Sequence, residues 1–197
     1  MSNLEKALND FKAGKFVIVT DDESRENEGD LFILGSAATP EQMGFMVRYT
    51  SGVICAAMTE EVANRLELPY MVKRNQDSKQ TAFTISVDAK DGLTTGISAA
   101  ERAKTLNLLA NKISISTDFV RPGHIFPLIA NNGGLNVRQG HTEAAVVMAS
   151  AINADPVVAI SELVNEDGSM MRGDALFEFA AAHGIEIVTI EELAKHF

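Results

Sequence analysis

With a single cysteine, Cys55, in 197 residues, the chain has no pair for an intrachain disulfide and cannot build a thiolate cage for zinc. A lone free thiol fits a reducing compartment. No uninterrupted apolar run approaches the roughly 20 residues that a bilayer-spanning helix needs. The opening Met1-Ser2-Asn3-Leu4-Glu5-Lys6 has no apolar core of signal-peptide length. These absences lead to the expectation of a soluble, cytoplasmic protein with no membrane partner. Positive charge is also scarce: 17 Lys and Arg against 27 Asp and Glu leave a formal charge of −10. A nucleic-acid partner, which requires a basic face, is therefore not expected. Any anionic ligand must be held by locally placed cations, because the global field opposes it. There is no repeat, low-complexity tract or Pro/Ser linker, so residues 1–197 read as one domain.

Helical and strand patterns alternate from end to end. Leu4, Ala7, Leu8 and Phe11 have helical spacing, with Gly14 as a stop. Thr39-Pro40-Glu41-Gln42 and Ser98-Ala99-Ala100-Glu101 are capping boxes that open helices. Short apolar runs at 16–19, 31–34, 53–56, 156–163 and 185–188 read as strands, with 81–87 and 124–130 as further candidates. Residues 67–80 and 88–97 read as loops, and 118–123 as a turn. Several connections are too short for a crossover helix, so the expected fold is α+β, with helices layered on a mixed sheet.

Three stretches break the folding pattern. Asp21-Asp22-Glu23-Ser24-Arg25-Glu26-Asn27-Glu28-Gly29-Asp30 packs six carboxylates and one Arg between two apolar strands. Like charges this dense repel unless a cation binds them, and hard cations such as Mg²⁺ prefer carboxylate oxygens. An ordinary solvated loop is the alternative. In Arg138-Gln139-Gly140-His141-Thr142-Glu143-Ala144, Gly140 permits close backbone approach to a ligand. Thr142 is read there as the N-cap of an apolar helix, whose first N–H groups form a ready phosphate site beside the Arg138 fork. His141 is either a metal ligand or a phosphate donor, and a plain capped turn is the competing reading. Arg121-Pro122-Gly123-His124-Ile125-Phe126-Pro127 mounts a His between two prolines, as a proton carrier would be held, or as a structural His would be. Glu162 ends an apolar strand, where a carboxylate can point into a crevice. Cys55 lies in a strand and reads as a buried, inert thiol.

Together with Ser51-Gly52-Val53-Ile54-Cys55, Thr94-Thr95-Gly96-Ile97-Ser98-Ala99 and Asn165-Glu166-Asp167-Gly168-Ser169-Met170, these stretches resemble, in order, the 3,4-dihydroxy-2-butanone 4-phosphate synthase family. The resemblance implies a three-layer α/β/α sandwich around a mixed sheet, assembled as a homodimer with active sites near the interface. It implies a Mg²⁺-dependent lyase of riboflavin biosynthesis, with Mn²⁺ as an alternative ion. The substrate would be D-ribulose 5-phosphate, and the products L-3,4-dihydroxy-2-butanone 4-phosphate and formate. By position, Glu26 and His141 match metal ligands. Arg25, Asp30, Arg138 and Thr142 match substrate-binding positions, with Gln139 and Gly140 in the same segment and Glu26, His141 and Glu162 also facing substrate. His124, Glu162 and Asp30 are the candidates for proton transfer. The GTP cyclohydrolase II domain fused to many relatives is not expected after Phe197. Glu101, Ser161 and Ile129 depart from the family pattern, where Asp, Cys and Arg are usual. Two other functions compete: a different metal-dependent phosphosugar lyase, and a non-catalytic phosphate-ester-binding module.

Overall fold

The computed structural model describes residues 2–197. Ser2 caps α1 (Asn3–Lys12) through a reciprocal box with Glu5, and the chain turns at Gly14, φ +74°, into β1 (Val17–Thr20). β2 (Gly29–Leu34) returns antiparallel to β1. Thr39 and Gln42 cap α2 (Pro40–Tyr49) as the sequence predicts. β3 (Cys55–Met58), α3 (Glu60–Arg65), β4 (Val87–Ala89) and α4 (Ala99–Leu109) follow. β5 (Phe119–Ile129), α5 (His141–Ala151), β6 (Val157–Glu162), α6 (Asp174–His183), β7 (Glu186–Thr189) and α7 (Ile190–His196) complete the chain.

The seven strands form one mixed sheet in the order β4-β5-β3-β6-β2-β1-β7. Its strands alternate between two apolar cores, as the period-two pleat requires. Ile18, Leu31, Ile33, Ala56 and Ala159 face Met43 and Met46 of α2, Leu106 of α4 and Leu176 of α6. Val17, Val19, Phe32, Ala57 and Val158 face Phe11 of α1, Met148 of α5 and Leu193 of α7. A sheet covered on both faces reads as continuous apolar runs, which is why those strands are visible in the sequence. The architecture is the expected single-domain three-layer α/β/α sandwich. Among the described residues no helix is long and apolar enough to cross a membrane.

Five sequence expectations are corrected. Residues 118–123 do not form a turn: β5 already begins at Phe119, where the β4 pairing starts opposite Ala89, and Arg121 ties the segment down by donating to the carbonyls of Ser116 (3.0 Å) and Leu66 (2.7 Å). Asp88 belongs to β4, not to a loop, and residues 81–86 contribute only isolated bridges at Phe83 and Thr84. β3 starts at Cys55 rather than Val53, since Gly52 has φ +78° and Val53 is exposed. Thr142 is not the N-cap of α5; Gly140 is, with no side-chain cap.

Glu101 does more than close its capping box. Its carboxylate accepts from the backbone N–H of Thr94, Gly96 and Ser98 and from the hydroxyls of Thr94 and Ser98. The Thr94 N–H first, with the hydroxyls, holds its pKa down to about 2, against 4.5 in the unfolded chain. The stabilisation is therefore complete above pH 4.5 and lost as the pH falls toward 2. Denaturant midpoints measured across that window are expected to fall more steeply in the wild type than in Glu101→Gln. Parallel profiles would refute the assignment.

Candidate active site

The acidic loop between β1 and β2 is folded by its own charges. Asp21 accepts from Arg25 (3.0 Å) and from the backbone N–H of Glu26 (3.1 Å) and Glu28 (2.9 Å). Arg25 also donates to Glu26. Asn27, with φ +54°, makes the turn. Two cations clasp the loop from outside. Arg172 donates to the carbonyl of Asn27 (2.9 Å) and to the Glu28 carboxylate (3.1 Å), and Lys79 donates to the carbonyl of Arg25 (2.7 Å).

Strand alternation supplies the next residues. In β2, Asp30 shares a face with Phe32 and Leu34, and in β6, Glu162 shares a face with Val158 and Ile160. The two carboxylates are direct partners across the β2–β6 pair. Such like-charge opposition destabilises a sheet, so a role outside folding is indicated. α5 covers this face and brings His141 and Thr142 down onto it. His141 packs edge-on to Phe32, with ring centroids 6.3 Å apart. Ser51 donates to Glu162 at 2.7 Å. The buried Ser161, one of the departures, is satisfied by Thr50 Oγ1 (2.8 Å) and the Val53 carbonyl (3.0 Å).

These parts enclose a cavity of about 220 Å³. Arg25, Glu26, Asp30, Arg138, His141, Thr142 and Glu162, all singled out in the sequence, line it. Gln139 and Gly140 do not; Gln139 is exposed, and Gly140 serves differently. A Cβ on Gly140 would lie 2.2 Å from Arg138 Nη1, so its bare backbone makes room for the Arg138–Glu143 ion pair. His124 is also absent from the lining; it sits on β5 against Asp88. The sequence reading missed Lys79, Thr81 and Asp77, which line the cavity from the 67–80 loop and its exit. That loop carries no motif. Asp21 and Glu28 lie inside the acidic stretch already singled out, but were given no individual role.

One cluster has the makings of a metal site. Ligand atoms of Asp21, Glu26 and His141 lie within 4.8 Å of one another. Two oxygens or nitrogens on a single Mg²⁺ stand at most about 4.2 Å apart, so a small contraction would bring all three onto one ion. Asp30 Oδ1 and His141 Nε2 are buried, lack hydrogen-bond partners, and lie 3.8 Å apart. Burial lowers the His141 pKa to about 4, which keeps the imidazole neutral and ligand-ready. Burial, with the charges of Glu162, Glu28, Glu26 and Asp21, pushes Asp30 well above the usual carboxylate range. Burial also raises Glu28, as does the Glu26 charge. Cys55 lies in the cavity wall with its thiol pushed up by burial, which makes it a poor nucleophile. The site thus offers a hard-cation cluster, three cations for an anion, and two carboxyls able to move protons.

The chain matches the family model for 3,4-dihydroxy-2-butanone 4-phosphate synthase over residues 5–196. It is 47% identical over 196 residues to riboflavin biosynthesis protein RibBA of Chlamydia muridarum, where it spans about half of the relative: 100% of this chain, 46% of that one. It is 49% identical to the 3,4-dihydroxy-2-butanone 4-phosphate synthase of Schizosaccharomyces pombe, covering 100% of this chain and 97% of that one. A crystal structure of a 3,4-dihydroxy-2-butanone 4-phosphate synthase in complex with two magnesium ions superposes with a TM-score of 0.96 at 43% identity, over 100% of this chain and 96% of that one.

Proposed function

Because the chain belongs to the 3,4-dihydroxy-2-butanone 4-phosphate synthase family, we propose that it converts D-ribulose 5-phosphate into L-3,4-dihydroxy-2-butanone 4-phosphate and formate, as a Mg²⁺-dependent lyase of riboflavin biosynthesis. The observation that carries this reading is the cavity lined together by Glu26 and His141, by the Asp30–Glu162 pair and by the Arg25, Arg138 and Lys79 cations, with Asp21 beside Glu26 and His141. A cavity of about 220 Å³, below the roughly 300 Å³ at which pockets for drug-sized ligands begin, suits a ligand as small as a phosphorylated pentulose.

Glu26 and His141 hold the ion in this reading, with Asp21 as a third ligand added by the fold. Once bound, Mg²⁺ or Mn²⁺ supplies the positive charge that polarises a ketone and stabilises oxyanions derived from it. The residues of the chain do the rest. Arg138, tied to Glu143 and to the Lys79 carbonyl, presents a fixed guanidinium to the phosphate, and Thr142 adds a hydroxyl that no cap consumes. Asp30, whose proton is retained to higher pH than usual, suits proton delivery and removal. Glu162, steered by the Ser51 hydroxyl, is its counterpart. Arg172 and Lys79 keep the acidic loop over the cavity, which limits hydrolytic side reactions. His124 enters the chemistry from the partner subunit of a homodimer. Support for this comes from its position off the cavity of its own chain, on the strand that carries the exposed Val120 and against Gly96, whose neighbour Ile97 is exposed. A cytoplasmic location fits the lone free thiol and the phosphorylated substrate.

The test is an anaerobic incubation with ribulose 5-phosphate, with formate followed by NMR. One formate per product is expected with Mg²⁺, and none after chelation. Binding of the phosphate ester with no formate, in the presence of Mg²⁺ or Mn²⁺, would instead identify a non-catalytic module.

A further inference from the structure

His124 is mounted by a device that its own sequence neighbourhood does not reveal. The β4–β5 ladder shifts register between Val87, opposite Ile125, and Asp88, opposite Val120, so residues 121–124 bulge out of β5. Bulges re-aim side chains, and this one turns His124 back onto Asp88. Asp88 Oδ1 accepts the backbone N–H of His124 at 2.8 Å, and Oδ2 lies 2.7 Å from its Nδ1. One carboxylate thus fixes both the backbone and the ring. The Asp88 side chain is only 7% exposed, whereas that of His124 is 39% exposed.

Two glycines make the fit possible. A Cβ on Gly123 would come within 2.0 Å of the Val87 carbonyl carbon, so only glycine lets the bulge lie flat on β4. Gly96 has φ +87°, and a Cβ there would fall 2.0 Å from Asp88 Oδ2 and 2.8 Å from His124 Nδ1. Glu101 holds the Gly96 N–H at 3.1 Å, which presses this glycine against the pair. The Nδ1 edge is therefore closed in, and the Nε2 edge is left as the ring's open side. The buried guanidinium of Arg102 supplies the nearby positive charge, and the Asp88 charge acts on it in return.

We propose that Asp88 is a positioning residue for His124: it fixes the proton on Nδ1 and leaves Nε2 as the atom that meets substrate. A carboxylate can only accept, so the ring nitrogen facing it must carry hydrogen. The inference rests on the reading of His124 as a proton carrier. It requires no proton on Asp88 at any stage.

Two measurements test it. The first uses the unaltered protein with ¹⁵N-labelled histidine, its His124 signals identified by their loss in His124→Ala. The neutral ring is expected to show a protonated Nδ1 and a pyridine-like Nε2; a protonated Nε2 would overturn the proposal, whatever any variant does. The second is Asp88→Asn. Asparagine keeps the acceptor for the His124 backbone but turns an amide N–H toward Nδ1, which drives the proton to Nε2. The kcat is expected to drop about 10²-fold or more with KM held within about twofold. His124→Ala should be as impaired, and the double variant no worse than His124→Ala alone. Wild-type turnover in His124→Ala would remove the underlying reading. An inactive His124→Ala beside a fully active Asp88→Asn would sink the role of Asp88 while leaving His124 in place.

Discussion

Glu26→Gln is expected to lower kcat by on the order of 10³-fold and to erase the thermal stabilisation that Mg²⁺ gives the wild type. Gln has the size of Glu and can still accept from Arg25, so the loop remains folded. What is lost is an anionic oxygen in the Asp21–Glu26–His141 cluster, the ligand type a hard cation needs most. A ligand that binds only the folded chain adds about 2.7 kcal/mol at 100 times its Kd. For a chain of this length that is roughly 5–10 °C in Tm. Melts with Mg²⁺ and with chelator should therefore differ in the wild type and coincide in Glu26→Gln. In chelator the variant should melt no lower than the wild type, because Glu26 adds to the repulsion felt by Glu28 and Asp30. Near-normal formate release, or a retained Mg²⁺ shift, would refute the ligand assignment.

Asp30→Asn should disable the enzyme and stabilise the metal-free fold at the same time. The loss of a proton carrier costs roughly 10²–10⁴-fold in kcat. The gain in stability follows from the raised pKa of Asp30, whose first cause is burial and whose second is the charge of Glu162 opposite. The unfolded chain releases this proton near pH 3.8, whereas the folded chain holds it to higher pH. The cost to folding is absent below pH 3.8 and grows as the pH rises toward the folded-state value. Asn removes that cost. In chelator at neutral pH the variant should gain about 1 kcal/mol, the scale of like charges facing each other on neighbouring strands, or about 2–4 °C in Tm. In acid the two proteins should converge. Denaturant midpoints at both pH values decide it; an Asp30→Asn protein weaker than wild type at neutral pH would mean that the carboxylate is structurally required.

Much of this was legible in the sequence, for identifiable reasons. Capping boxes act over four residues, so Thr39 and Ser98 mark their helices from the sequence alone. Strands buried on both faces leave unbroken apolar runs. The acidic loop stood out because six carboxylates in ten residues repel one another unless cations hold them. What stayed hidden depends on contacts far apart in the chain. β4 is three residues long and is defined by its pairing with β5 across a bulge. Lys79 reaches the site through the carbonyl of Arg25, 54 positions away. Gly140 looked like an approach point for ligand and proved to be a seat for an ion pair, a distinction that needs the Arg138 rotamer. His124 has the right chemistry, yet its partner Asp88 lies 36 residues upstream in what read as a loop.

The strand order has a consequence for how the chain is made. β6 lies between β2 and β3, yet it is synthesised 99 residues after β3 ends at Met58. At about 5–20 residues per second on the ribosome, the β2 and β3 edges wait roughly 5–20 s for their common neighbour. An apolar strand with a bare edge invites pairing with the wrong chain, and natural proteins blunt such edges with charge. Asp30 sits on the waiting edge of β2, ionised while water still reaches it. The carboxylate that burdens the finished sheet is, on a bare strand, the kind of charge that blunts an edge. The arrival of β6 covers that edge and, by delivering Glu162 opposite Asp30, closes the sheet and sets the two carboxylates face to face in the same event.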